Sequence, residues 1–488
     1  MNDDNLSPAE PDVDGSSRRQ FLKLMGGASG AALLGPSGAA AQSQSSTTAA
    51  VGESGPYLLQ NGHVMTMGPA GDVPGGDILV RDGAIEAVGT EVDPPPEVAT
   101  IDLEDHLVLP GFVDTHTHLW LTQMRGLFDN TEEGAYFPLV EQFAEGYEPS
   151  DMYAGTYLGA IEALAAGITF TTPFCDNART PPLAEAALRA LADAGIRARF
   201  LYGGYDAMPP SEPLSLDHIE ALDRDWDAWS NDGRLSLGVG WGGPFDSPDE
   251  DLAALVRREY ERAQALGLPL SVHASGERAG DTIDGLAASG YLGPDVQLVH
   301  ATDATPEQIE TINEAGASVS ITPISEHRVG FGLTRLQRFA DVDRLSLGVD
   351  GNALSGSADL FSAMRLLALT ESGASQNELS VDPRQVLRLA TIEGARALGM
   401  DDQIGSLEQG KRADLIAIDL HSLNLGRFFE ADPAPLALYS ARPDDIALVM
   451  VDGEVQKRDG ELVDADPEEA LHGAQQSIEA IRERTDAS

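Results

Sequence analysis

Between residues 107 and 350 the chain alternates apolar, strand-like runs with long amphipathic segments eight times over. The runs are Leu107–Asp114, Gly167–Pro173, Arg197–Tyr202, Leu235–Gly240, Leu268–His273, Val296–His300, Ala317–Thr322 and Leu345–Asp350. Helical spacing fills the intervals, as in 151–166, 183–194, 249–266 and 306–315. Such alternation requires parallel pairing through helical crossovers. Eight units predict an α/β fold built on a (β/α)8 TIM barrel. An open doubly wound sheet is the alternative, but no Gly-rich phosphate loop joins a strand to a helix.

The histidines give that frame its chemistry. His116 and His118 follow the first run, His273 ends the fifth, His300 ends the sixth and Asp350 ends the eighth. Alternate strand residues point the same way, so the H-x-H pair presents two imidazoles to one side. Strand C-termini meet at the catalytic mouth of a barrel. Histidines with an aspartate form an N/O donor set suited to Zn2+ or Fe2+, with a position left for water.

The flanks have a different texture. Short strand-like runs separated by Asp82-Gly83, Asp452-Gly453 and Asp459-Gly460 signal hairpins on both sides of the barrel. The expected segments are 56–109 and 401–465 as strand-rich flanks, 110–400 as the barrel, and 466–488 as a polar terminal helix or tail.

The N-terminus reads as an address. Ser17-Arg18-Arg19-Gln20-Phe21-Leu22-Lys23 precedes an apolar, small-residue stretch, and Ala39-Ala40-Ala41 supplies an A-x-A cleavage site. The paired arginines resemble a twin-arginine export signal over 1–41, followed by a Ser/Thr/Ala-rich linker over 42–55. The apolar stretch is shorter than the ~20 residues that span a bilayer. Expected partners are therefore the twin-arginine export machinery and a small-molecule substrate, with no stable membrane span after signal removal. Monomer and homo-oligomer both remain open.

A formal charge of −48, from 31 basic and 79 acidic residues, argues against nucleic-acid binding, because no basic stripe can neutralise phosphates. The acidity is spread along the chain and suits a hydrated surface in high salt. The single cysteine, Cys175, excludes an internal disulfide and a Cys-rich metal knuckle.

Several stretches carry a resemblance to the amidohydrolase superfamily, in the branch holding cytosine, guanine and S-adenosylhomocysteine deaminases and triazine chlorohydrolases. They are Leu109–His118, Leu347–Gly351, Ala390–Ala395 and Ile404–Leu415. The resemblance covers about residues 56–465. It implies that the flanks join into a small composite β-sandwich. It also implies one metal held by His116, His118, His273 and Asp350, with His300 binding or polarising substrate and Asp350 doubling as general base. Binuclear members bridge their metals with a carboxylated Lys or a Glu on strand four. Leu235–Trp241 has neither, and no Lys occurs between 24 and 410.

One departure concerns the proton-shuttling Glu, which such enzymes place three residues after the strand-five His. In His273-Ala274-Ser275-Gly276-Glu277 the carboxylate comes one residue later. Glu277 is either the shuttle, reaching the site through the Gly276 turn, or a first-turn helix acid favoured by the dipole. The long loop after the first strand supplies Gln123 and Arg125 as expected substrate contacts. The resulting expectation is an exported mononuclear amidohydrolase that cleaves a non-peptide C–N bond by deaminating a cyclic amidine or nucleobase-like compound. A cyclic-amide hydrolase or chlorohydrolase on the same scaffold is the alternative. A secreted, non-catalytic binding protein is the contrasting class.

Overall fold

A computed structural model describes residues 56–485 except 97, 205–213, 244, 246–248, 276–278 and 428–431. The expected signal and linker, and Glu277, lie outside the described residues.

Eight parallel strands run in consecutive order: β1 (Phe112–Thr117), β2 (Ile168–Cys175), β3 (Arg197–Tyr202), β4 (Leu235–Gly240), β5 (Leu270–Ala274), β6 (Val296–His300), β7 (Ser318–Ile321) and β8 (Leu345–Leu347). Helices cross between them, including Pro149–Ala165, Pro181–Ala194, Glu250–Leu266 and Pro306–Ala315. The arrangement is the expected (β/α)8 barrel. Its seam lies between β1 and β8. There the Asp350 N–H donates to the His116 carbonyl at 2.8 Å and the His118 N–H donates to the Asp350 carbonyl at 2.5 Å.

The run Leu107–Asp114 is not one strand. His106–Pro110 belongs to the flanking sheet and β1 begins at Phe112. Gly111 lies at the break, where only glycine fits, since a Cβ there would lie 2.0 Å from Thr169 Oγ1. The flanks do join. His106–Pro110 pairs with Leu415–Asp419, which makes one nine-stranded sheet from both ends of the chain. That sheet closes over its own apolar core, which includes Leu59, Val80, Val108, Leu415 and Met450.

Polar ties fasten barrel to flank. Arg197, at the start of β3, is buried and donates through Nε and Nη2 to Asp414 (2.7 and 3.2 Å) and to Asp452 (3.0 Å). The terminal helix Pro467–Thr485 docks back on Pro149–Ala165, where Ser477 and Arg484 donate to Asp151 at 2.7 and 2.5 Å. After the barrel come two short helices, Pro383–Leu389 and Ile392–Ala397, parted by non-helical backbone at Thr391.

Candidate metal centre

Four strand ends and the β1–β8 seam bring the predicted cluster together. His116 Nε2 and His118 Nε2 each lie 3.3 Å from Asp350 Oδ1, and His273 Nε2 lies 3.3 Å from His116 Nε2. His116, His118 and Asp350 are buried. A ring nitrogen of His300 completes a second grouping with His116 and His273, all within 4.8 Å of one another. β8 itself stops at Leu347, and Asp350 enters the cluster with a left-handed backbone, φ 71°. His300 likewise has φ 75°. Non-Gly residues in this region are uncommon and concentrate at functional sites.

The spacing fits a metal. Tetrahedral coordination at ~2.0–2.1 Å puts neighbouring donor atoms about 3.3 Å apart, the separation found for the pairs His116–Asp350, His118–Asp350 and His116–His273. Protonation states agree, because ligating imidazoles must be neutral and the carboxylate ionised. Burial lowers His116 to about 4 and holds His273 well below the usual histidine range. Burial alone pushes Asp350 upward, but the His116 hydrogen bond and the neighbouring imidazoles outweigh it and hold the carboxyl well below its ordinary range.

Surrounding groups orient His118 and His300. His118 Nδ1 faces two acceptors, the Phe174 carbonyl at 3.1 Å and Asp176 Oδ2 at 3.3 Å, so it carries the proton and frees Nε2. Trp120 Nε1 donates to the other Asp176 oxygen. Buried Asp114 accepts from the Val349 N–H (2.9 Å) and Thr171 Oγ (2.9 Å), which ties β1 to the residue before Gly351's neighbour Asp350. Burial raises that carboxyl to about 7. His300 Nδ1–H donates to Glu326 Oε1 at 3.1 Å, and Glu326 also accepts from the Thr322 N–H at 2.8 Å and from Thr334 Oγ.

Glu326 follows β7 and reads from sequence as a surface group or a substrate contact with equal weight; it is fully buried behind His300. Asp176 was equally unannounced, although it sits at a strand end like Asp350. Gln123 and Arg125 are not brought to the cluster. The segment Leu119–Met124 coils into a 3-10 helix, which ends the strand alternation and turns both residues toward helix Pro149–Ala165. There Gln123 Nε2 donates to the Asp151 carbonyl at 3.2 Å and Arg125 pairs with Glu162. Cys175 is buried beside Met152, and burial pushes its thiol up.

On the side of the cluster nearest β4, the Phe174 ring packs 4.5 Å from that of His273. A Cβ at Gly240, the last residue of β4, would lie 2.6 Å from the same ring. β4 thus contributes backbone and no ligand, and Phe174 of β2 covers it as an aromatic wall.

A family model described as the Amidohydrolase family matches residues 107–456. A 5'-deoxyadenosine deaminase of Methanosarcina mazei is 29% identical over 447 residues, covering 88% of this chain and 99% of its own. A 5-methylthioadenosine/S-adenosylhomocysteine deaminase of Symbiobacterium thermophilum is 31% identical over 428 residues, covering 82% and 93%. Among solved structures, an adenosine deaminase from Xanthomonas campestris with bound zinc superposes with a TM-score of 0.75 at 25% identity, covering 88% and 99%. An atrazine chlorohydrolase from Arthrobacter aurescens complexed with zinc shares the fold, with a TM-score of 0.73 at 23% identity, covering 86% and 100%.

Proposed function

The chain belongs to the amidohydrolase family, and from that premise we propose that it is a mononuclear metal-dependent aminohydrolase that removes an exocyclic amino group from a cyclic amidine of the aminopurine-nucleoside type. Its general class is that of hydrolases acting on carbon–nitrogen bonds other than peptide bonds. The observation that carries the reading is that His116 Nε2 and His118 Nε2 each lie 3.3 Å from Asp350 Oδ1 and that His273 Nε2 lies 3.3 Å from His116 Nε2. The absence of a donor on β4, with Phe174 against Gly240, supports a single ion, Zn2+ or Fe2+.

His116, His118, His273 and Asp350 would hold the ion. When bound, a divalent metal supplies Lewis acidity toward water and substrate at neutral pH. Asp350, kept ionised, accepts the proton of the attacking water at its carboxylate. His300, oriented by Glu326, faces the substrate and steadies the charge that builds on the ring nitrogen. Glu277 passes a proton to the departing amine. The relatives that cover most of this chain are named as deaminases of adenosine-type compounds, which is the ground for the substrate class.

The N-terminal Arg18-Arg19 segment supports export by the twin-arginine route. That route carries folded proteins, so a metal can be inserted before the chain leaves the cytoplasm. No helix among the described residues is long and apolar enough to cross a membrane.

Ammonia release from a panel of aminopurine nucleosides, with cyclic amides and chlorinated triazines as further arms, tests the reading. Asp350→Asn is the control. Turnover of an aminopurine by the parent and not by the control is expected. Equal turnover by both, or turnover confined to the other arms, contradicts the deaminase reading.

A further inference from the structure

At the end of the barrel opposite the histidines, the early residues of several strands line a cavity of about 30 Å³. Thr172, Arg199, Ser271, Gln297 and Ser318 supply its polar groups, and Ala397 and Leu398 from the segment after helix Ile392–Ala397 border it. The charges in it are not balanced. Arg199 donates through Nη2 to the Leu398 carbonyl at 3.1 Å, while its buried Nε has no acceptor among the described residues. The buried Nε2 of Gln297 and Oγ1 of Thr172 also lack partners there. Ser271 Oγ–H donates to Gln297 Oε1 at 3.0 Å, which turns the amide's N–H groups the other way. Asp295 reaches the rim, but its carboxylate accepts from Gln264.

A neighbouring arginine shows how unusual this is. Arg197, two residues earlier on β3, has two carboxylates. Arg199 has none within ion-pair distance among the described residues, in a chain of charge −48. Burial is what pulls its guanidinium down, to about 10, so it remains a cation at neutral pH. Arg199 is half-buried, but its buried Nε–H and the buried amide donor are costly without acceptors. Guanidinium and amide N–H groups cannot serve one another, because neither accepts on nitrogen.

We propose that this cavity is a binding site for a small monovalent anion of the halide type, held by Arg199 Nε, Gln297 Nε2 and Thr172 Oγ. A cavity of about 30 Å³ is roomy enough for one water-sized group, which favours a small anion. The bound ion neutralises the guanidinium and knits β2, β3 and β6 at the closed end of the barrel. Its role is structural and independent of the metal chemistry at the opposite end. Because a ligand that binds only the folded state stabilises it in proportion to the logarithm of its concentration, the site makes stability halide-dependent.

Crystals of the metal-loaded protein soaked in sodium bromide, measured at the bromine absorption edge, should give an anomalous peak in the cavity. Tm in sodium chloride or bromide should exceed Tm in sodium gluconate at equal ionic strength, which holds general screening constant. Arg199→Gln should abolish both the peak and the difference in Tm. Should that variant fail to fold, Gln297→Leu keeps Arg199 and is expected to weaken both. Water alone in the cavity with equal Tm in the salts overturns the proposal. A bromide peak without a halide-specific rise in Tm marks an adventitious ion and overturns it as well.

Discussion

His116 and Asp350 meet twice: the Asp350 N–H donates to the His116 carbonyl at 2.8 Å, and Asp350 Oδ1 lies 3.3 Å from His116 Nε2. The first contact closes the barrel between β1 and β8, and the second belongs to the candidate metal site. Closing the fold and assembling the donors are therefore one event, which accounts for the left-handed backbone that Asp350 tolerates.

Glu326 is expected to act on turnover through His300. Outer groups that orient such residues typically contribute ~10–100-fold. Glu326→Ala should lower kcat on that scale with KM and metal content little changed, and Glu326→Gln, which still accepts from His300, should recover part of the loss. Steady-state kinetics beside elemental analysis checks this. Loss of metal in step with kcat would assign Glu326 to the ligand shell instead.

For Glu277 the expected loss is that of a proton shuttle. Glu277→Gln should reduce turnover by ~10²–10⁴-fold, the usual contribution of general acid–base catalysis, while metal stays bound. Turnover within about twofold of the parent would leave the residue as a helix-start acid, whose dipole contribution is ~0.3–1 kcal/mol of stability.

The tie between barrel and flank predicts a stability effect without a catalytic one. Asp414→Asn breaks the buried pair with Arg197, and removing one partner of such a pair costs about 3–5 kcal/mol. Denaturant unfolding should show the loss, and the metal content of the folded fraction should be unchanged. A change below about 1 kcal/mol would mean that Asp452 alone satisfies Arg197.

Export gives a cellular prediction. Replacing Arg18 and Arg19 by Lys preserves charge but removes the paired guanidinium groups, and the protein should then accumulate inside the cell. Undiminished secretion in fractionated cultures would refute the address.

Much of this molecule is written in local pattern. Arg197–Tyr202, Leu235–Gly240 and Val296–His300 are strands with the bounds that their apolar runs predict. His116, His118, His273, His300 and Asp350 were visible because strand ends converge in a barrel. What escaped depends on direction after the strand stops. A close contact at Gly111 marks where one apolar run divides between two sheets. A 3-10 turn brings Gln123 and Arg125 against helix Pro149–Ala165, and a short helix after β7 rotates Glu326 inward. Sequence spacing does not encode these rotations. Nor does composition reveal that Arg199 lacks the carboxylate that Arg197 has, since both sit on one strand face two residues apart.

The proposed enzyme holds a single catalytic metal through His116, His118, His273 and Asp350. Elemental analysis of the purified enzyme, paired with turnover before and after chelation, decides whether it does. About one Zn or Fe per chain is expected, with turnover lost with the metal and restored on its return, and neither metal nor turnover in the His116→Ala, His118→Ala double variant. Two tightly held ions per chain, or full turnover from metal-free protein, would contradict it.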